Sequence, residues 1–306
     1  MRRDVEFKSR GLTCRGWFYT PDKGKGPFPV VVMAGGWCYV KEIVMPQYAD
    51  RFAQAGLAVL LFDYRNFGES DGEPRQHINP YEQIEDYKNG MSFVETLDEV
   101  DSERIGIWGI SYSGGHVLVL GGTDPRVKCI AAVVPCVDGW GMARRNHGTL
   151  ALRELRKLVM EDRRKRFENN GIGGTIAMSS TDPNVISVWP LQELNEVFVK
   201  LQQTVAPNHK HWSTIESLEN IWNYNVFPYL PKILNIPTLM IVGEEDDITP
   251  WDHQINAFNE IATPEKNLFI IPKSTHMTLY SDKTHVEIAA EVSTSWFVEH
   301  LIAPYG

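Results

Sequence analysis

Ile105-Gly106-Ile107-Trp108-Gly109-Ile110-Ser111-Tyr112-Ser113-Gly114-Gly115 is an apolar run that stops at a glycine, presents a serine two residues later, and passes through small residues into an apolar helical pattern at His116. This reads as a strand, a sharp turn and a helix, with Ser111 at the apex. A nucleophile held on such a turn occupies a strained backbone and tolerates only small neighbours, so Ser111 is the candidate nucleophile. Ser113 stands where a strict G-x-S-x-G motif has its second glycine, and serine is small enough for the place. Alone the motif is weak, because a turn serine can equally cap the helix after it. The flanking sequence supplies the context.

Upstream, Val5 to Tyr19 alternates polar and apolar around Arg10-Gly11, the pattern of a β-hairpin. Phe28 to Ala34 and Leu57 to Phe62 are continuous apolar runs, as expected of strands covered on both faces, and the first ends in Gly35-Gly36-Trp37. Helical spacing predicts helices from about Pro46 to Ala55 and Pro80 to Leu97. Downstream, strands are predicted at Val127 to Val134, Thr238 to Val242 and Asn267 to Ile271, with helices near Trp251 to Ile261 and Val286 to Ile302. Strands alternating with helices give an α/β fold, a mostly parallel sheet wrapped on both faces. Between about Val137 and Pro231 the strand pattern lapses. Helical stretches are predicted there at Leu150 to Asn169, Pro190 to Val205 and Ser213 to Asn223, with Gly171-Ile172-Gly173-Gly174 as a flexible link. We read residues 1–136 and 232–306 as a core and 137–231 as an inserted helical cap over the site.

The 306 residues, 43% hydrophobic and 23% charged, are enough for one large core. The longest apolar runs have strand length, too short to cross a bilayer, so no membrane partner is expected. Met1-Arg2-Arg3-Asp4 leads into the hairpin pattern rather than an apolar signal region. A net charge of −9 opposes nucleic-acid binding. The basic cluster from Arg153 to Arg166 also holds Glu154, Glu161 and Asp162 and reads as a solvated helix face. Cys14, Cys38, Cys129 and Cys136 lack C-x-x-C spacing, which points to a reduced, cytoplasmic protein. His209 and His211 have no third ligand nearby and are read as a solvated loop, so no metal and no cofactor are expected. A homodimer is left open.

A serine hydroxyl needs a base, normally a histidine oriented by a carboxylate, and in such sheets the chain order is serine, acid, histidine. Of nine histidines, only His276 sits immediately after a predicted sheet strand, which makes it the candidate base. The loop Val242-Gly243-Glu244-Glu245-Asp246-Asp247-Ile248-Thr249-Pro250 supplies the acid. Asp246 is preferred to Asp247 on loop spacing; either could cap the helix near Pro250, and Glu244 or Glu245 could serve chemically. The backbone N–H groups of Tyr112 and of Trp37 are the candidate oxyanion donors.

With these residues in place the chain resembles the α/β-hydrolase superfamily. It is most similar to the dienelactone-hydrolase-like or polyketide-transferase-like branch of serine hydrolases. Gly35-Gly36-Trp37 with Val40-Lys41-Glu42, Phe62 to Arg75, Asp101 to Gly115, and Thr275-His276-Met277-Thr278-Leu279-Tyr280 carry the resemblance. It implies Ser111 as nucleophile, Asp246 as acid, His276 as base, and Trp37 and Tyr112 as oxyanion donors. Many relatives have His-Gly where this chain has Gly35-Gly36. The expected activity is hydrolysis, through an acyl-enzyme, of a small-molecule carboxylic ester, lactone or related acyl compound that is moderately sized and hydrophobic or aromatic. Alternatives are acyl transfer by the same triad, amide or C–C bond hydrolysis, and a non-catalytic binding protein. Trp140, Trp189, Trp212, Trp222 and Tyr224 make the cap aromatic-rich and are expected to line an apolar pocket, although each singly could pack the cap onto the sheet.

Overall fold

The structure, a computed structural model, describes residues 1–182 and 184–303. β1 (Arg2–Ser9) and β2 (Leu12–Tyr19) form the hairpin across Arg10-Gly11. β3 (Phe28–Ala34), β4 (Ala58–Phe62), β5 (Val100–Ile110) and β6 (Val127–Val133) follow. β7 (Thr175–Ser179), β8 (Ser187–Trp189) and β9 (Trp212–Thr214) lie in the inserted segment, before β10 (Thr238–Gly243) and β11 (Lys266–Ile271). The main sheet has eight strands in the order β1-β2-β4-β3-β5-β6-β10-β11. The hairpin joins it antiparallel through β2 and β4, and every later neighbour is parallel. Parallel neighbours need helical crossovers, which cover both faces and explain the unbroken apolar strands: Val30 to Ala34 are completely buried.

The crossovers are α1 (Met45–Gln54), α2 (Pro80–Val94), α3 (Tyr112–Gly121) and α7 (Trp251–Glu260), and α9 (Lys283–Phe297) follows the last strand. α1 packs beside α9, and α2 beside α3. Helix starts follow local chemistry. The side chain of Asn79 accepts from the Tyr81 and Glu82 N–H groups, and Pro80 fills the first helical position, where no N–H is needed. Asp282 caps α9 in the same way. A one-turn helix, α8 (Thr278–Ser281), was not expected from the sequence.

Segment 137–231 departs from the all-helical expectation. It contains α4 (Gly139–Glu168), α5 (Gln192–Thr204) and α6 (Glu216–Trp222), together with a second, three-stranded sheet in the order β8-β7-β9. Strands of three to five residues are too short to show alternation, and these pair across long sequence separations. α4 starts well before Leu150 and is broken at Gly148, where φ is 64°. Its basic cluster is not solvated throughout. Asp162 is buried, and Arg166 bonds Asp162 at 2.9 Å, Glu216 at 2.7 Å and Glu219 at 2.8 Å, tying α4 to α6. Pro183 and residues 304–306, which fall within the expected unit boundaries, lie outside the described residues. Among the described residues no helix is long and apolar enough to cross a membrane.

Candidate active site

Right-handed parallel crossovers bring the loops after β3, β5, β10 and β11 to one edge of the sheet, the carboxyl edge where ligands gather in such folds. Ser111 stands between β5 and α3 with φ 60° and ψ −117°, a conformation an L residue holds only under constraint. Ser111 N–H donates to the Val133 carbonyl at 2.9 Å, and Cys136 N–H donates to the Ser111 carbonyl at 2.9 Å, so the turn is pinned to the end of β6. Gly109 is required by space, since a Cβ there would lie 2.3 Å from the Ser113 carbonyl oxygen. Ser113 does more than fit. Its hydroxyl accepts from Ile110 N–H at 2.8 Å and lies 2.8 Å from the carbonyl of Ala34, stapling the turn to the end of β3.

The structure brings Ser111, His276 and Asp246 together. Nε2 of His276 lies 3.1 Å from Oγ of Ser111, and Nδ1 lies 2.9 Å from Oδ2 of Asp246. A carboxylate only accepts, so Nδ1 carries the proton and Nε2 faces the serine as an acceptor. Asp246 is fully buried and held from several sides. Ile248 N–H at 3.0 Å, Thr249 N–H at 2.9 Å, Thr249 Oγ1 at 2.8 Å and Gln254 Nε2 at 3.1 Å all reach its carboxylate. Asp247 and Glu245 are exposed. Glu244 accepts from Lys273 N–H at 2.8 Å, bracing the two loops against each other.

Trp37 and Tyr112 flank Ser111 with their rings edge to face, centroids 5.3 Å apart. The Gly35-Gly36 turn presses on the elbow: a Cβ at Gly36 would lie 3.0 Å from Cβ of Ser111. Above them is a cavity of about 10 Å³, room for roughly one water molecule. Segment 137–231 contributes Met142, Met178, Trp189, Leu194 and Ile221 to its wall.

Of the five expected aromatic pocket residues, only Trp189 lines this cavity. Trp140 is 39% exposed and meets Trp222 edge to face at 6.1 Å, on the outer side of α4 and α6. Trp212 borders a separate cleft with Glu73, Arg75 and Thr175. Tyr224 is buried beneath the elbow, its Oη 2.9 Å from Nδ1 of His116. Burial holds His116 neutral, its pKa lowered to about 3. An aromatic residue type reports a need for apolar contact but not which surface supplies it. The other lining residues of the inserted segment, Met142, Met178, Leu194 and Ile221, are aliphatic or methionine, and the core adds Tyr39, Cys136, Ile248 and Thr249. Leu194 and Ile221 lie on predicted helices, and nothing in their type marks them. His209 and His211 also correct the expectation of a solvated loop: His209 is completely buried. All four cysteines are free and buried, and among the described residues no cluster of His, Cys, Asp and Glu could hold a metal ion.

Residues 17–278 match the family described as X-Pro dipeptidyl-peptidase, S15. The thiohydrolase aneE of Aspergillus aculeatus is 29% identical over 316 residues, covering 98% of this chain and 93% of its own. The polyketide transferase af380 of Aspergillus fumigatus is 29% identical over 288 residues, covering 94% of each chain. The crystal structure of the α/β hydrolase GrgF from a Penicillium species superposes with a TM-score of 0.81 at 24% identity, covering 98% of this chain and 99% of that one. The chain has the α/β-hydrolase fold and belongs to the family described as X-Pro dipeptidyl-peptidase, S15.

Proposed function

We propose that this protein is a serine hydrolase that cleaves an uncharged ester, lactone or thioester through an acyl-enzyme. The unbroken contact from Ser111 Oγ through His276 to Asp246 carries the reading. His276 Nε2 takes the hydroxyl proton as Ser111 attacks the acyl carbonyl. The backbone N–H groups of Trp37 and Tyr112 receive the oxyanion, His276 returns the proton to the leaving group, and water activated by His276 releases the acid.

The wall supports this substrate class. A dipeptidyl-peptidase must hold the free ammonium of its peptide, yet the described residues lining the cavity include no carboxylate. An apolar acyl group suits Met142, Met178, Trp189 and Leu194 better. We read residues 1–136 and 232–306 as the catalytic core and 137–231 as the cap, which shifts to admit substrate because the cavity is smaller than any acyl group. Four buried free thiols suit a reducing, cytoplasmic setting.

Polyketide transferase af380 among the relatives favours, as a second reading, capture of the acyl-enzyme by an alcohol, amine or thiol in place of water. The test is a panel of p-nitrophenyl esters, lactones, thioesters and X-Pro amides, with fluorophosphonate labelling, on wild type and Ser111→Ala. Turnover and labelling are expected in the wild type alone, with esters or thioesters far ahead of X-Pro amides. Turnover retained by a folded Ser111→Ala protein refutes the mechanism, and product analysis with competing acceptors separates hydrolysis from transfer.

A further inference from the structure

A second hydrogen-bonded chain, unused by the chemistry above, runs from the inserted segment to the loop that carries Trp37. His209 places Nδ1 3.0 Å from the backbone carbonyl of Cys38, the residue after Trp37. Its Nε2 lies 3.3 Å from Nδ1 of His211. Nε2 of His211 in turn lies 2.7 Å from Oγ of Ser179 and 3.2 Å from Nδ2 of Asn195. The roles follow from the two ends. A carbonyl only accepts, so His209 carries its proton on Nδ1 and its Nε2 accepts from His211. Nε2 of His211 then accepts from the Ser179 hydroxyl and the Asn195 amide, and both rings are satisfied while neutral.

The loop at the far end needs such a hold. Cys38 has φ 60° and Val44 φ 51°, conformations that a non-glycine residue keeps only when its surroundings impose them. From the core, Lys41 N–H reaches Asp63 Oδ1 at 2.7 Å, and Lys41 Nζ reaches Asp63 Oδ2 at 2.9 Å. The core also sets the Tyr112 ring 5.3 Å from that of Trp37 and the Tyr280 ring 5.4 Å from that of Tyr39, and further restraints come from segment 137–231. They are the His209 bond, the Cys38 thiol 3.4 Å from the Trp212 carbonyl, and the Phe198 ring 5.0 Å from that of Tyr39 and 5.3 Å from that of His209.

We propose that His209 is a positioning residue for oxyanion stabilisation. Its Nδ1–H fixes the Cys38 carbonyl so that the preceding residue's N–H, that of Trp37, points at the oxyanion, and His211 locks the tautomer this requires. Seating of the cap and completion of the oxyanion hole are then one event: a cap displaced to admit substrate leaves the loop under-restrained, and its return restores the donor. The inference rests on the hydrolase reading and on Trp37 as donor.

Two polar replacements of one residue test it. Asparagine at 209 can place its amide N–H near the position of Nδ1, whereas glutamine places its own near Nε2. With a p-nitrophenyl ester as substrate, His209→Gln is expected to lower kcat by about 10- to 100-fold with KM nearly unchanged, and to slow fluorophosphonate labelling in step. His209→Asn is expected to keep most of the wild-type kcat. Both variants are checked for folding by thermal melting and compared only where both are folded. Equal kcat in the two, or an effect confined to KM, overturns the inference. Ser111→Ala in the same assay is the control for the underlying reading: if it is inert while the two His209 variants match wild type, the hydrolase stands and the positioning role falls.

Discussion

Asp246 and Asp247 differ by one position and by everything that matters chemically. The turn after β10 directs the first inward, where two backbone N–H groups and the His276 ring meet it, and leaves the second exposed. An amide at 246 cannot hold the imidazole in the tautomer that leaves Nε2 free, so Asp246→Asn is expected to lower kcat by about 10⁴-fold, the loss seen in serine proteases for the same change. Asp247→Asn is expected to stay within about twofold, as for a solvated side chain, and steady-state kinetics on one ester reads both. Ser113 carries a second prediction. Ser113→Ala leaves Ile110 N–H buried without its side-chain acceptor and is expected to cost about 1–3 kcal/mol in urea unfolding. The sequence marks Ser111 and His276 as candidates by residue type and chain order but only prefers Asp246 to Asp247, because both are aspartates on one loop. It could not show what Ser113 gains over glycine, since that hydroxyl's partner lies on another strand.

At the scale of elements, the sheet strands were readable because burial on both faces leaves a continuous apolar run. The strands of the inserted segment were not, being too short for a period and paired across loops and helices. The same limit explains the aromatic wall: Trp189 faces the cavity from the end of β8, while Trp140 lies on the outer side of α4, and neither direction is written in the residue. Their substitutions should therefore differ. Trp189→Ala enlarges a cavity of about 10 Å³ and is expected to raise kcat/KM for branched or aromatic acyl esters relative to acetate by about tenfold, the order of one or two methylenes' discrimination. Trp140→Ala is expected to leave that ratio unchanged. A ratio of kcat/KM values across an acyl series measures it, and equal ratios in the two variants would remove Trp189 from the acyl pocket.

For the molecule as a whole, buried histidines set the response to acid. Burial lowers His116 to about 3, and burial, then the neighbouring His211, lowers His209 to about 4, against an ordinary histidine value of 6.5. Between those values the unfolded chain binds protons that the folded chain refuses. Their contribution is thus complete above pH 6.5 and is lost as the pH falls, at about 1.4 kcal/mol per pH unit for each. Asp63 works the other way. Burial, partly offset by Lys41, raises it to about 6, so the folded chain takes up its proton first and gains stability as the pH falls from 6 towards the ordinary aspartate value of 3.8. One aspartate offsets one of the two histidines, and His147 and His211, both lowered by burial, add to the histidine side. Net stability should therefore fall between pH 6 and pH 4 by at least about 1.4 kcal/mol per unit and stay nearly flat from pH 7 to 8. Urea unfolding at half-unit intervals measures the slope. His116→Gln should flatten it by one histidine's share, and a slope unchanged by that substitution would mean that His116 takes up its proton in the folded chain as readily as in the unfolded one.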